Sequence, residues 1–162
     1  MPAAKLIIAD SEKNANLYYA TRFLAPDPFI FAQINGRRFM VMSDLELDRA
    51  RAQAKVDEVL SYAKLSAALK KDRAAARPGT GRAGEPTMVD VVVALLKDHQ
   101  VAAVEVPGDF GLAYADGLRK RGIEVAPKPE PFFPERMVKS EEEIAFLIKS
   151  LRTTEEAVEM AT

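Results

Sequence analysis

Residues Phe29–Ser43 read FIFAQINGRRFMVMS. Two apolar runs rich in strand-forming residues flank Asn35-Gly36. A type I′ turn needs positive φ at both central positions, which Asn and Gly tolerate better than other residues, so the stretch predicts an antiparallel β-hairpin. On its C-terminal side, Ser43 and Glu46 have the spacing of a capping box, which predicts that the second strand runs into a helix from Leu45 to about Gln53. Lys55–Leu60 (KVDEVL) alternates apolar and polar residues and reads as a third strand, reached by crossing over through that helix.

Upstream of the hairpin, Lys5–Ala9 (KLIIA) is a short apolar run with β-branched residues, a buried first strand ended by Asp10-Ser11. Asn14–Phe23 (NANLYYATRF) crowds Tyr18, Tyr19 and Phe23 together and predicts a short helix. Leu24–Pro28 (LAPDP) must be a loop, because prolines flank its aspartate. Downstream, Tyr62–Arg77 is an alanine- and lysine-rich surface helix. A glycine- and proline-rich loop, Pro78–Pro86 (PGTGRAGEP), separates it from a more apolar helix, Met88 to about His99, capped by Thr87. Val101–Val106 is a strand, Phe110–Arg121 a helix with Gly122 as its cap, and Ile123–Ala126 a last strand. Strands alternating with helices in this half, added to the hairpin, predict an α/β domain: a mixed β-sheet with one antiparallel hairpin, flanked by helices.

The chain has 162 residues, 48% of them hydrophobic and 29% charged. That is one domain's worth of chain, able to bury about two thirds of its unfolded surface. With 23 basic and 24 acidic residues the net charge is -1, so no global field recruits nucleic acid or an anionic membrane. Cysteine is absent, which excludes disulfides, thiolate metal sites and cysteine nucleophiles and suits a reducing compartment. The apolar run near the N-terminus is too short for a signal peptide or a membrane span, and a cytoplasmic protein is expected.

Several patterns invite a chemical reading, and each has a plainer one. Gly79, Gly81 and Gly84 spell the G-x-G-x-x-G of dinucleotide sites, with Glu105 at a suitable distance, but a helix carrying Arg73 and Arg77 precedes them where a buried strand is required. A flexible interhelical loop is the better reading. Asp44, Glu46 and Asp48 have the alternate spacing of a calcium loop, yet Arg49 replaces its glycine and Lys55 its closing glutamate. His99, the only histidine, suits a solvated helix end and cannot assemble a histidine-rich metal site or a serine triad. Arg37 and Arg38 beside the hairpin turn read as solvated charge. No catalytic residue and no metal ligand is identified from these patterns.

Beyond Lys128–Pro134 (KPEPFFP), a proline-rich connector, Ser140 and Glu143 again form the capping-box spacing, so a helix should begin at Glu141. Ile144, Leu147, Ile148, Leu151 and Val158 then mark one apolar face. This helix reaches Thr162 without a glycine, a proline or a basic last turn. We therefore expect a boundary: residues 1–134 as one domain, and 135–162 as a linker and the first helix of a second domain absent from the chain. The apolar face should pack against the first domain or a second copy.

In order and spacing, NANLYYATRF with LAPDP, the hairpin running into DLELDRARAQAKVDEV, then LLKDHQVAAVEVPGDF, ADGLRKRGIEV and ERMVKSEEEIAFLIKS resemble the N-terminal domain of the creatinase, prolidase and Xaa-Pro aminopeptidase family of pita-bread metallopeptidases. Arg136, Lys139, Ser140, Glu143 and Ile144 match the pattern that opens their catalytic domain. The resemblance implies a ribonuclease-H-like sheet. It also implies a parent that hydrolyses the bond before proline with two divalent metal ions (Mn, Co or Zn), held by two aspartates, a histidine and two glutamates outside this chain. The chain itself would then bind no cofactor and catalyse nothing. Its partners would be its own C-terminal catalytic domain, a proline-containing peptide and a second copy in a homodimer. The implied role is to gate substrate and to dimerise, and the substrate-facing positions that carry over are Tyr19 and Arg22. One departure stands out: family members commonly have Thr-Gly-Phe where this chain has Thr21-Arg22-Phe23. The alternatives are a non-catalytic protein-interaction module of the same fold and the N-terminal domain of a creatinase-like amidinohydrolase.

Overall fold

The computed structural model describes residues 4–76 and 84–161, and the chain divides into two units, Met1–Phe132 and Phe133–Thr162. The first unit is built on six strands: β1 (Ala4–Ala9), β2 (Phe29–Ile34), β3 (Arg37–Met42), β4 (Glu58–Ser61), β5 (Ala103–Pro107) and β6 (Glu124–Lys128). They form one sheet in the order β4-β3-β2-β1-β5-β6. Asn35 at φ 51° and Gly36 at φ 82° make the expected turn, with Ile34 opposite Arg37. β1 also pairs antiparallel with β2, whereas β4 runs parallel to β3, β5 to β1 and β6 to β5. The mixed α/β sheet with its single hairpin is thus as anticipated, and β1 adds a second antiparallel pairing.

Among the described residues five helices accompany this sheet: α1 (Ala15–Thr21), α2 (Leu47–Gln53), α3 (Tyr62–Ala76), α4 (Met88–Asp98) and α5 (Leu112–Arg119). The crossovers β3-α2-β4 and β5-α5-β6 leave parallel strands in opposite directions along the sheet. Right-handed connections therefore place α2 and α5 on opposite faces. The side chains agree. Leu6 and Ile8 of β1, Ile30, Ala32 and Ile34 of β2, and Val104 and Val106 of β5 share one core with Val91, Val92 and Leu96 of α4 and Leu118 of α5. Their alternate neighbours Ile7, Phe31 and Met40 are equally buried on the opposite face, where α1 and α2 bury Leu17, Ala20, Leu47 and Ala50.

α5 shortens to Leu112–Arg119 and β6 shifts to Glu124–Lys128, and three further boundaries move for a local reason. α2 starts at Leu47 because Ser43–Glu46 closes as a turn, the Glu46 amide donating to the Ser43 carbonyl at 3.1 Å; the capping box expected there does not form. β4 starts at Glu58 because the Lys55 amide donates to Thr21 O at 2.7 Å and the Asp57 amide to Arg38 O at 3.0 Å, arching residues 55–57 across the sheet end. β5 starts at Ala103 after Gln100 adopts φ 57°.

In the second unit a short 3-10 turn, Pro134–Met137, precedes α6 (Glu141–Ala161). The Ser140 amide donates to Glu143 Oε2 at 2.9 Å and the Glu143 amide to Ser140 Oγ at 3.2 Å, the expected capping box. Leu147, Ile148 and Leu151 are exposed along α6 in the single chain.

Candidate functional site

Asn14 caps α1, its Oδ1 accepting from the Leu17 amide at 2.8 Å, and the helix ends after two turns at Arg22. Arg22 is left-handed, with φ 51° and ψ 29°, and its amide donates to Tyr18 O at 2.7 Å. This is the conformation that glycine takes without cost, and here an arginine adopts it. Tyr19 is half-buried one turn back, Arg22 is exposed, and the guanidinium carbon lies 5.1 Å from the Tyr19 ring centroid. The structure therefore brings the two anticipated residues together as a cation on an aromatic ring.

What holds this corner was not legible in advance. Thr21 Oγ1 donates to Leu17 O at 2.8 Å and accepts from the Phe23 amide at 3.3 Å, bending the chain out of the helix. Ser11, after β1, holds the following loop at both backbone atoms of Ala25: its Oγ accepts from the Ala25 amide at 2.8 Å, and its own amide donates to Ala25 O at 3.2 Å. At the other end of α1, Asn16 Nδ2 donates to Glu130 Oε1 at 2.6 Å and Asn14 Nδ2 to Asp109 Oδ2 at 3.3 Å, tying the helix to the segments that follow β6 and β5. These partners lie about a hundred residues apart in sequence, and no local pattern marks them.

The other patterns resolve into structure. Asp44 accepts from Ser61 Oγ, Glu46 from Arg49, and Asp48 lies 3.7 Å from Arg51, so the would-be calcium ligands do not converge. Among the described residues no group of three or more His, Asp or Glu could hold a metal ion. His99 is not simply solvated: it is half-buried with its ring 4.8 Å from that of Phe39. Arg37 pairs with Glu58 at 3.3 Å and Glu105 with Lys128 at 3.6 Å. Gly79 and Gly81 lie outside the described residues.

A second polar cluster sits between α3, α4 and α5, at the end of an open groove of about 580 Å³. Asp90, buried in the first turn of α4, accepts from the Thr87 amide and hydroxyl at 2.8 and 2.9 Å. Its Oδ1 meets Arg73 of α3 and Arg121 beyond α5, each at 2.7 Å. Burial pushes the Asp90 carboxyl upward, but the Thr87, Arg121 and Arg73 hydrogen bonds outweigh it and bring the pKa down to about 2. One buried carboxylate held by two guanidiniums and by both polar groups of Thr87 makes this a structural clamp.

No protein-family model and no curated protein matches the sequence. Solved structures do. An X-Pro aminopeptidase from Thermotoga maritima superposes at a TM-score of 0.69 with 15% identity, over 96% of this chain and 39% of the enzyme. The prolidase from Pyrococcus horikoshii gives 0.65 and 17%, over 96% and 37%. A Xaa-Pro dipeptidase from Bacillus anthracis gives 0.63 and 14%, over 88% and 33%. This is the fold of the creatinase N-terminal-type domain. The chain spans little more than a third of the enzymes it superposes on, and at these identities the likeness carries the creatinase N-terminal fold and nothing about chemistry.

Proposed function

We propose that the chain is the substrate-gating and dimerisation domain of a Xaa-Pro dipeptidase or aminopeptidase-like metallohydrolase. The observation that supports this is the extent of the superposition: almost the whole chain aligns on about a third of enzymes whose names specify Xaa-Pro hydrolysis. In this reading residues 1–134 are the gate, 135–162 open the catalytic domain, and the remaining part of a cytoplasmic parent supplies the two metal ions and the hydrolytic step. Among the described residues no cluster fits such a metal pair, and no part of the hydrolytic step is assigned to them.

What the chain contributes is the α1 corner. Tyr19 offers a ring on which a proline can stack, and Arg22 a guanidinium for the substrate carboxylate, already positioned by the ring it covers. In this reading the strain of a left-handed arginine is offset by what its side chain does at the site. The test is steady-state hydrolysis of a Xaa-Pro dipeptide by the Mn²⁺-loaded parent. Tyr19→Ala should raise KM by about tenfold, the equivalent of about 1.4 kcal/mol of lost stacking, in a domain that remains folded. Unchanged kinetics in a folded variant would remove the gating role.

A further inference from the structure

We propose that Arg49, on α2, is the positioning residue that fixes the Leu24–Pro28 loop and thereby the aim of Tyr19 and Arg22; the functional half of this rests on the gating role proposed above. The Arg49 guanidinium carbon lies 4.2 Å from the centroid of the Phe23 ring. Phe23 is itself buried, edge-on to Phe29 at 6.4 Å. From this stacked position Nη2 donates to Leu24 O at 2.9 Å, and Nε donates to Glu46 Oε2 at 2.6 Å. One planar group thus covers the residue after Arg22, holds the next carbonyl and is oriented by a carboxylate of its own helix. Lysine cannot reproduce this, having a single ammonium in place of a planar fork.

The geometry also explains why α2 bears on a site it does not touch. The Lys55 amide, just beyond α2, donates to the carbonyl of Thr21, so α2 grips both sides of Arg22. With Ser11 holding Ala25, the loop is fastened at Leu24 and Ala25, and its tip, Pro26-Asp27-Pro28, is exposed. Proline stiffness carries a shift at Leu24 through to the tip.

The experiment compares Arg49→Lys and Arg49→Met with the wild type, Met preserving the apolar stem over Phe23. Hydrogen exchange on the full chain should show the Phe23 and Ala25 amides, bonded to Thr21 Oγ1 and Ser11 Oγ, opening about tenfold faster in both variants, with β1 and β2 amides unchanged. In the Mn²⁺-loaded parent both variants should raise KM for a Xaa-Pro dipeptide by about three- to tenfold and leave kcat within about twofold. Unaltered exchange at Phe23 and Ala25 overturns the proposal whatever the parent catalyses. Faster exchange with unchanged KM also overturns it if Tyr19→Ala does raise KM. If neither Tyr19→Ala nor the Arg49 variants move KM, the gating role fails first and the positioning role falls with it, whereas a melting temperature lowered by more than about 10 °C in Arg49→Met marks a core residue and rejects it.

Discussion

α4 and α6 begin in the same way. Thr87 and Asp90 close a capping box at the first, Ser140 and Glu143 at the second, with the reciprocal backbone bonds in place at both. Their surroundings differ. Asp90 is buried and receives guanidinium groups from two further elements, while Ser140 is exposed on a helix that has no buried residue among those described. The local spacing announces where a helix starts and says nothing about what that start is worth. At α4 the cap doubles as the pin that joins α3, α4 and the turn after α5; at α6 it is a cap.

The largest effect should therefore follow from Asp90→Ala. It removes the Asp90 arm of the capping box, costing up to about 1 kcal/mol, and leaves Arg73 and Arg121 facing each other, with side chains 38% and 39% exposed. Their partial hydration moderates the second loss, and we expect about 3 kcal/mol in all, or about 8 °C in melting temperature. Calorimetry of the full chain decides it; a loss under about 1 kcal/mol would reduce Asp90 to the level of Ser140.

Acid should reach the same clamp without mutation. The folded pKa of Asp90, about 2, lies below its ordinary value of 3.8. A depressed carboxylate contributes stability that is fully present above the unfolded pKa. It is lost as pH falls from about 4 through about 2, and the shift corresponds to about 2 kcal/mol. Unfolding free energies of wild type and Asp90→Asn should accordingly draw together as pH falls to about 2 and stay apart at pH 7. A constant gap across that range would show that the carboxylate's charge is not what the arginines hold.

At α6, Ser140→Ala should cost only the cap, about 1 kcal/mol, read locally as several-fold faster exchange of the Glu142 and Glu143 amides. An effect as large as that of Asp90→Ala would mean that the two helix starts are equally embedded.

The same contrast explains how much could be read in advance. The Asn35-Gly36 turn, the capped starts of α4 and α6 and the glycine after α5 are set by residues within four positions of each other, and each formed where its spacing placed it. Ser43 and Glu46 carry an equally good local signal and failed, because Arg49 captures the carboxylate that the box requires. The α1 corner was legible only in part. Tyr19 and Arg22 could be singled out, but Ser11, Arg49 and Glu130, which hold the corner and the helix behind it, reach it from elsewhere in the fold. Likewise Arg73 and Arg121 gave no hint that they converge on one aspartate.

The smallest expected effect lies at the other end of a helix, in Arg22→Gly. Releasing a non-glycine residue from the left-handed region recovers about 1 kcal/mol. Glycine's freedom in the unfolded chain takes back about 0.4–1 kcal/mol, and loss of the contact with the Tyr19 ring about 0.5 kcal/mol more. The terms nearly cancel, so stability should change by less than about 0.5 kcal/mol in chemical denaturation. If Arg22 serves substrate, the parent's KM for Xaa-Pro dipeptides should still rise, since the carboxylate loses its charged partner. A destabilisation above about 1.5 kcal/mol would instead make the arginine–tyrosine contact part of what ends α1, and the α1 corner would then resemble the start of α4, where a single side chain both terminates a helix and binds its neighbours.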